Sequence, residues 1–327
     1  MSRANQTVQW ARARTMAGFS LLEMLIALVI LLAVTAVVMS GIVQMSMAEG
    51  SIANRTQMHA SARSATELLQ QEVGQAGRVA LPEAVALGAA VSAIGSQTVT
   101  LSSISGSPTS AMFVGEQLLV DVGGNQETVA ITTVNSSTQI TGQFAKVHPV
   151  TTPAAPVSAA GGFGTGVVPP AAAPYSMTNG STPNVLKMYG DINSDGNMLY
   201  IEYSCDTTRG NLYRNVMSFN AGTKPSIAGA AGDSMILLPI AADGSACFTY
   251  QTLPSGCVAA ACYVVDVAVT LTVQTAMKDP QTGLYQTETK ALLNVSPRNV
   301  FEVWQLASAS ITTRTQPMPA TVTALLP

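Results

Sequence analysis

The spacing of apolar and polar residues changes character several times along the chain. Residues 24–43 hold no Asp, Glu, Lys, Arg or His, twenty positions in a row. A helix of that length rises about 30 Å, enough for one bilayer hydrocarbon core. Between 48 and 80 the pattern becomes amphipathic. Met58, Ala62, Ala65, Leu69, Val73 and Ala76 recur at steps of three and four, while Arg55, Arg63, Glu67 and Glu72 face elsewhere. The two patterns join without a break. They predict one long helix whose first half, 19–47, suits lipid and whose second half, 48–80, covers a core. Gly77 as a cap and Pro82 as a stop mark its end.

Further on, the period becomes two. Residues 97–101, 117–122, 127–134 and 139–144 alternate between Gly-Gly-Asn and Asn-Ser-Ser turns and predict a compact β module over 94–157. The stretch 158–183, rich in Ala, Gly and Pro, reads as a linker. Its Gly161-Gly162-Phe163-Gly164-Thr165-Gly166 run follows no strand and lacks the Lys-Ser/Thr of a phosphate loop. Strand patterns return at 198–203, 211–219, 235–239, 247–250, 263–274 and 288–295, within a block spanning 184–305. The tail, 306–327, is rich in Thr and Pro and is expected to be mobile. The fold class this predicts is α+β: a long N-terminal helix packed on an antiparallel β head, with an inserted all-β module.

Composition narrows the function classes. Charged residues make up 10% of the 327 and aromatics 5%, against 47% hydrophobic, which is too apolar for a disordered chain. The chain is acidic, with a formal charge of −3 that becomes about −6 without the three arginines of residues 1–18, which argues against a nucleic-acid surface. Two histidines, His59 and His148, leave no hydrolase triad: Gly232-Asp233-Ser234 has no histidine after it, and no Gly-x-Ser-x-Gly or His-Glu-x-x-His occurs. The residues therefore point to a non-enzymatic role.

Two constellations carry candidate chemistry. Asp191, Asn193, Asp195, Gly196, Asn197 and Glu202 match the spacing of a twelve-residue Ca²⁺ loop, with oxygen donors at one, three, five and twelve and a glycine at six. An Asx-Gly hairpin turn is the alternative for the same residues. Cys205, Cys247, Cys257 and Cys262 suit disulfides in an oxidising compartment better than zinc. Four cysteines allow three pairings; a local Cys257–Cys262 staple is the one that spacing suggests, with Cys205 and Cys247 pinning neighbouring strands.

The N-terminus is the most specific feature. Arg3, Arg12 and Arg14 precede Gly18-Phe19-Ser20-Leu21-Leu22-Glu23-Met24, and no acid precedes Glu23. The basic residues place the leader, 1–18, in the cytoplasm and send the chain beyond the apolar run across the membrane. A carboxylate at the edge of a membrane span is costly and calls for a partner. This stretch resembles the processing signal of type IV prepilins and pseudopilins. The resemblance implies cleavage after Gly18 by a prepilin peptidase, methylation of the Phe19 amine, and pairing of Glu23 with the Phe19 amine of a neighbouring subunit. Removing the leader takes three arginines, so Lys+Arg falls from 15 to 12 against 18 acids, a mature charge near −6. Gln75-Ala76-Gly77-Arg78 and Asn294-Val295-Ser296-Pro297-Arg298-Asn299 resemble segments of PilW-like minor pilins. By that resemblance the chain is a subunit of the inner membrane and then of an extracellular pilus, with other major and minor pilins as partners. A J-type pseudopilin of a type II secretion system shares these motifs, and a tip adhesin using the β module is a further alternative. A plain signal anchor, or a secretory signal cut after Val34-Thr35-Ala36, explains the apolar run alone but not Gly-Phe before it or Glu23 within it.

Overall fold

A computed structural model describes residues 18–150, 153–224, 234–255, 257–258 and 261–327. The leader up to residue 17, with its three arginines, and Gly232-Asp233 lie outside them. The protein is α+β: one long N-terminal helix, antiparallel sheets and a six-stranded barrel. Helix α1 runs Leu21–Gln75. It is long and apolar enough to cross a membrane, with a mean hydropathy of 2.9 in its most apolar stretch. All residues from 19 to 47 are exposed.

The chain divides into two compact units. The first takes the chain through Ala53 together with Asp279–Gly283. There the Ser51 hydroxyl donates to Asp279 Oδ2 at 2.9 Å, while Asp279 Oδ1 accepts from the amides of Gln281 and Thr282.

The second unit takes Asn54–Lys278 and Leu284–Pro327. Its barrel has the order β1 (Val85–Leu87), β2 (Gly95–Ser103), β5 (Gln139–Phe144), β4 (Glu127–Ser136), β3 (Gln117–Val120) and β6 (Pro156–Ala159). Alternation along each strand sends Val99, Leu101, Leu118, Val129, Ile131 and Ile140 into one apolar cluster. The strands read from sequence over 94–157 supply β2 to β5. The closing strands β1 and β6 are too short to show a period, and they carry the barrel out to residues 85 and 159.

A four-stranded antiparallel sheet has the order β11 (Ser234–Pro239), β10 (Asn211–Ser218), β9 (Leu199–Asp206), β8 (Val185–Gly190). A three-stranded sheet has the order β12 (Phe248–Leu253), β13 (Tyr263–Gln274), β14 (Thr287–Val295). Met58, Ala62, Ala65, Leu69 and Val73 are buried and belong to one cluster with Leu186, Met188, Ile201, Tyr203, Val267 and Leu271. Glu72, expected off the apolar stripe, is 3% exposed. It accepts hydrogen bonds from the Tyr203 hydroxyl and from Arg214, whose Nε is 3.1 Å away. A buried carboxylate is tolerable only with such a cation and donors around it.

Two expectations are corrected. Residues 162–170, read as part of a linker over 158–183, are buried throughout. Gly162–Phe163 forms β7, which pairs in parallel with β15 (Thr315–Gln316). The tail, 306–327, is not a loose end either. It holds the end of helix α2 (Arg298–Ser308), strand β15 and helix α3 (Ala320–Leu325), with Val322, Leu325 and Leu326 buried beside Phe163 and Tyr189. Gln316 acts as a backbone surrogate: its side chain accepts from the Gln117 amide at 2.8 Å and donates to the carbonyls of Gln117 and Ala160 at 2.8 and 2.6 Å.

The end of α1 explains the burial of 162–170. Gly77, at φ +82°, reverses the chain. Its amide donates to the Tyr189 carbonyl at 3.0 Å and its carbonyl accepts from the Phe163 amide at 2.8 Å. The Asn299 side chain donates to the carbonyls of Gln75 and Ala76 at 3.1 and 3.4 Å. Gly166 packs so closely that a Cβ there would lie 2.1 Å from Gly77 Cα. Gly166→Ala is therefore expected to cost about 3 kcal/mol or more in unfolding free energy, the upper range for overpacking. Gly124→Ala, with nothing within 4 Å of its Cβ, is expected to stay within about 0.5 kcal/mol. Denaturant titration of the detergent-solubilised full chain compares the two.

Candidate functional site

At the start of α1, Gly18 and Phe19 are exposed, Phe19 at 87%. The Glu23 amide donates to Ser20 Oγ at 3.1 Å, and the Ser20 amide approaches Glu23 Oε2 at 3.4 Å. Ser20 and Glu23 thus form a capping box, each satisfying a donor that the first helical turn leaves open. The Ser-x-x-Glu spacing carries that signal in the sequence, beyond the charge of the glutamate alone. The carboxylate has a local partner while the helix stands alone.

The candidate calcium residues are not gathered round one point. Asp191 is buried at the β8–β9 turn; its Oδ1 accepts from the amides of Asp195 and Gly196 at 3.0 and 3.1 Å, and Oδ2 lies 3.4 Å from Arg78 Nε. Asp195 Oδ1 accepts from the Asn197 amide at 2.9 Å, and Asn193, Asp195 and Asn197 are exposed. After the turn the chain continues as strand β9, not as a helix. Glu202 therefore sits opposite Lys187 in the β8–β9 register. Its Oε2 takes the Lys224 ammonium at 2.9 Å and the Tyr200 hydroxyl at 3.2 Å. The carboxylate needed at position twelve is spent on a cation, so the donor set does not fit a calcium loop. The geometry is that of an Asx-stabilised turn. Among the described residues no group of three or more His, Cys, Asp or Glu is placed to hold a metal.

Cys205 bonds to Cys247 and Cys257 to Cys262. The first links β9 to the residue before β12, tying the four-stranded sheet to the three-stranded one across a separation of 42 residues. Closing a loop of that length removes about 4 kcal/mol of unfolded-chain entropy in the loop-closure picture.

The barrel contains a polar cluster that sequence reading passed over. His148 is fully buried, with Nδ1 3.0 Å from Asp121 Oδ2 and Nε2 2.7 Å from Glu127 Oε1. Glu127 also accepts from the amides of Ala145 and Lys146 at 2.7 and 3.1 Å. These bonds tie the β3–β4 turn to the segment after β5. The hydrogen bond with His148 holds the Asp121 carboxyl below the usual carboxylate range, so its contribution persists until pH falls through that lowered value. The signal was His148 with Asp121 and Glu127, the two acids flanking the β3–β4 turn, invisible without the pairing of β3, β4 and β5.

Just before β3, Glu116 is fully buried. Oε2 accepts from the Phe113 amide at 3.2 Å, and Oε1 has no hydrogen-bond partner among the described residues. Among the described residues no cation pairs with it to balance an ionised carboxylate. Burial pushes its pKa from an ordinary 4.5 to about 8.

Compared with protein families, with curated proteins and with solved structures, the chain matches none.

The raised Glu116 pKa fixes a sign. The folded state keeps the Glu116 proton where the unfolded chain has lost it, so this group's contribution to stability is fully present below 4.5 and is lost as pH rises to about 8. Glu116→Gln is expected to flatten that decline in a series of thermal melts across this range. An unchanged pH slope would show that the carboxyl ionises freely in the folded barrel.

Proposed function

We propose that this protein is a minor pilin of PilW-like type, a low-copy structural subunit of a type IV pilus. The observation that carries the reading is the uncovered first half of α1. Residues 19–47 are apolar and wholly exposed, on a helix whose later turns contribute buried residues to a core. A free helix of that kind needs lipid or other helices around it. Gly18-Phe19 and Glu23 at its head add the processing signal. The segments 75–78 and 294–299, which carry the rest of the resemblance, meet through the bonds from Asn299 to Gln75 and Ala76.

In this reading the subunit waits in the inner membrane as a single-pass protein with its head in the periplasm. The amphipathic half of α1 packs on the antiparallel head, and the apolar half is stored in the bilayer. A prepilin peptidase cuts after Gly18, which creates an α-amine on Phe19, and the amine is methylated. Until assembly the Ser20 capping box satisfies Glu23. As helices slide from lipid into a filament core made with other pilins, the Phe19 amine of a neighbour competes for that carboxylate. Ion pairing in low dielectric favours the exchange, since a stranded charge there is costly. A J-type pseudopilin would use the same residues for the same steps, on a shorter filament.

Intact mass and N-terminal sequencing of membrane-extracted protein test the processing. A chain beginning at methylated Phe19 is expected; retention of Met1, or a start at Val37, overturns the proposal. Glu23→Ala is expected to leave cleavage intact while removing the subunit from sheared filaments.

A further inference from the structure

Residues 275–286 join β13 to β14, and the middle of that connection belongs to the first compact unit. Within that unit Asp279–Gly283 lies against α1 at Gly50 and Ser51. Asp279, 5% exposed, accepts from the Ser51 hydroxyl at 2.9 Å, and a Cβ on Gly50 would lie 3.2 Å from Pro280 Cγ. The loop is therefore held to one turn of the helix.

That turn sits at a defined height. Between Glu23 and Glu49 helix α1 carries no charged residue. As a helix, residues 24–48 rise about 37 Å, roughly the hydrocarbon core and one headgroup layer together. With those residues in a bilayer, Gly50 and Ser51 stand where the helix leaves the headgroups, and Asp279–Gly283 stands with them.

The residues flanking that loop share one chemistry. Met277 is 66% exposed, Leu284 68% and Tyr285 46%. Chain connectivity keeps Lys278 and Leu284 within one Cα step, about 3.8 Å, of the loop ends. Lys278 Nζ lies 5.8 Å from the centre of the Tyr285 ring. Asp279, the only acid in the connection, is spent on Ser51 and on the amides of Gln281 and Thr282, so the charge presented outward is the ammonium. Single exposed apolar side chains are ordinary on a protein surface. Two flexible apolar side chains together with a tyrosine and a lysine suit a headgroup layer: their apolar parts reach the acyl boundary, while phenol and ammonium stay with the phosphates.

We infer that the β13–β14 connection is a membrane-surface contact: Met277, Leu284 and Tyr285 enter the phospholipid headgroup layer of the bilayer that α1 crosses, and Lys278 meets lipid phosphate. The bond to Ser51 and the seat of Pro280 on Gly50 set the depth to which these side chains reach. The inference rests on the proposed function only as far as residues 24–48 lie in a bilayer; it needs neither cleavage at Gly18 nor a filament.

The test uses the full chain in vesicles of phosphatidylethanolamine with a minor share of phosphatidylglycerol. A nitroxide on Met277→Cys reports collisions with dissolved oxygen, which concentrates in lipid, and with a nickel complex, which stays in water. Labels on Val34→Cys, in the apolar run, and on Ile104→Cys, 95% exposed on the barrel, mark the two extremes. Position 277 is expected to give an oxygen-to-nickel ratio between them, at headgroup depth. Leu284→Asp, an exposed change that leaves the fold alone, is expected to shift the population about tenfold toward the ratio at 104, and Leu284→Met to keep it in place. A ratio at 277 equal to that at 104, with 34 in lipid, overturns this inference alone; a water-like ratio at 34 as well overturns the bilayer placement with it. Few collisions with either reagent at 277 would mean that protein covers the connection, and a ratio indifferent to Leu284→Asp that lipid does not hold it; both overturn the inference.

Discussion

The arrangement of the second unit depends on the backbone contact made where α1 ends. Gly77 turns the chain at a conformation that only glycine adopts cheaply, and Gly166 brings a second backbone to within a methyl group of it. Four parts of the chain meet there: the end of α1, the segment around Phe163, the β8–β9 turn through Tyr189 and Arg78–Asp191, and α2 through Asn299. Each satisfies backbone groups that a helix end would otherwise leave open in a dry interior. No side chain fits between them, so the junction is set by shape more than by hydrophobic area.

That junction accounts for what the sequence hid. The long helix was legible because its two hydrophobic patterns are strong and continuous, and the strands from β2 to β5 and β9 to β14 were legible from their period. Residues 162–170 were not. Gly-Gly-Phe-Gly-Thr-Gly reads as a flexible linker, yet here glycine permits close approach instead of freedom, and Phe163 is fully buried. The tail misled for a related reason: its Thr and Pro content matches a loose end, while Gln316, Val322 and Leu325 are placed by partners more than a hundred residues away. Glu72 and His148 show a third limit. A charge in a pattern marks an exposed face unless its counter-charge is known, and Arg214, Asp121 and Glu127 come near only through strand pairing.

The site was legible unevenly as well. Gly18, Phe19 and Glu23 are singled out by order alone, a glycine, an aromatic and an acid at the head of an apolar helix, and their role belongs to the proposed function. The calcium spacing at 191–202 was a pattern without its context. The same donors close a hairpin when a strand comes next, and Glu202 then pairs with Lys224. Function and fold divide along the chain accordingly. The exposed half of α1 and its capped start carry the proposed assembly chemistry, and the buried stripe of its second half contributes to the core of the second unit.

Hydrogen exchange of the detergent-solubilised full chain tests the junction most directly. If the contact at Gly77 organises the second unit, the amides of Gly77 and Phe163 exchange as slowly as those in the middle of β13, opening only when the whole unit unfolds. Exchange of Phe163 at the pace of an exposed turn such as 104–106, with β13 still protected, would contradict the account and return 158–183 to the status of a linker.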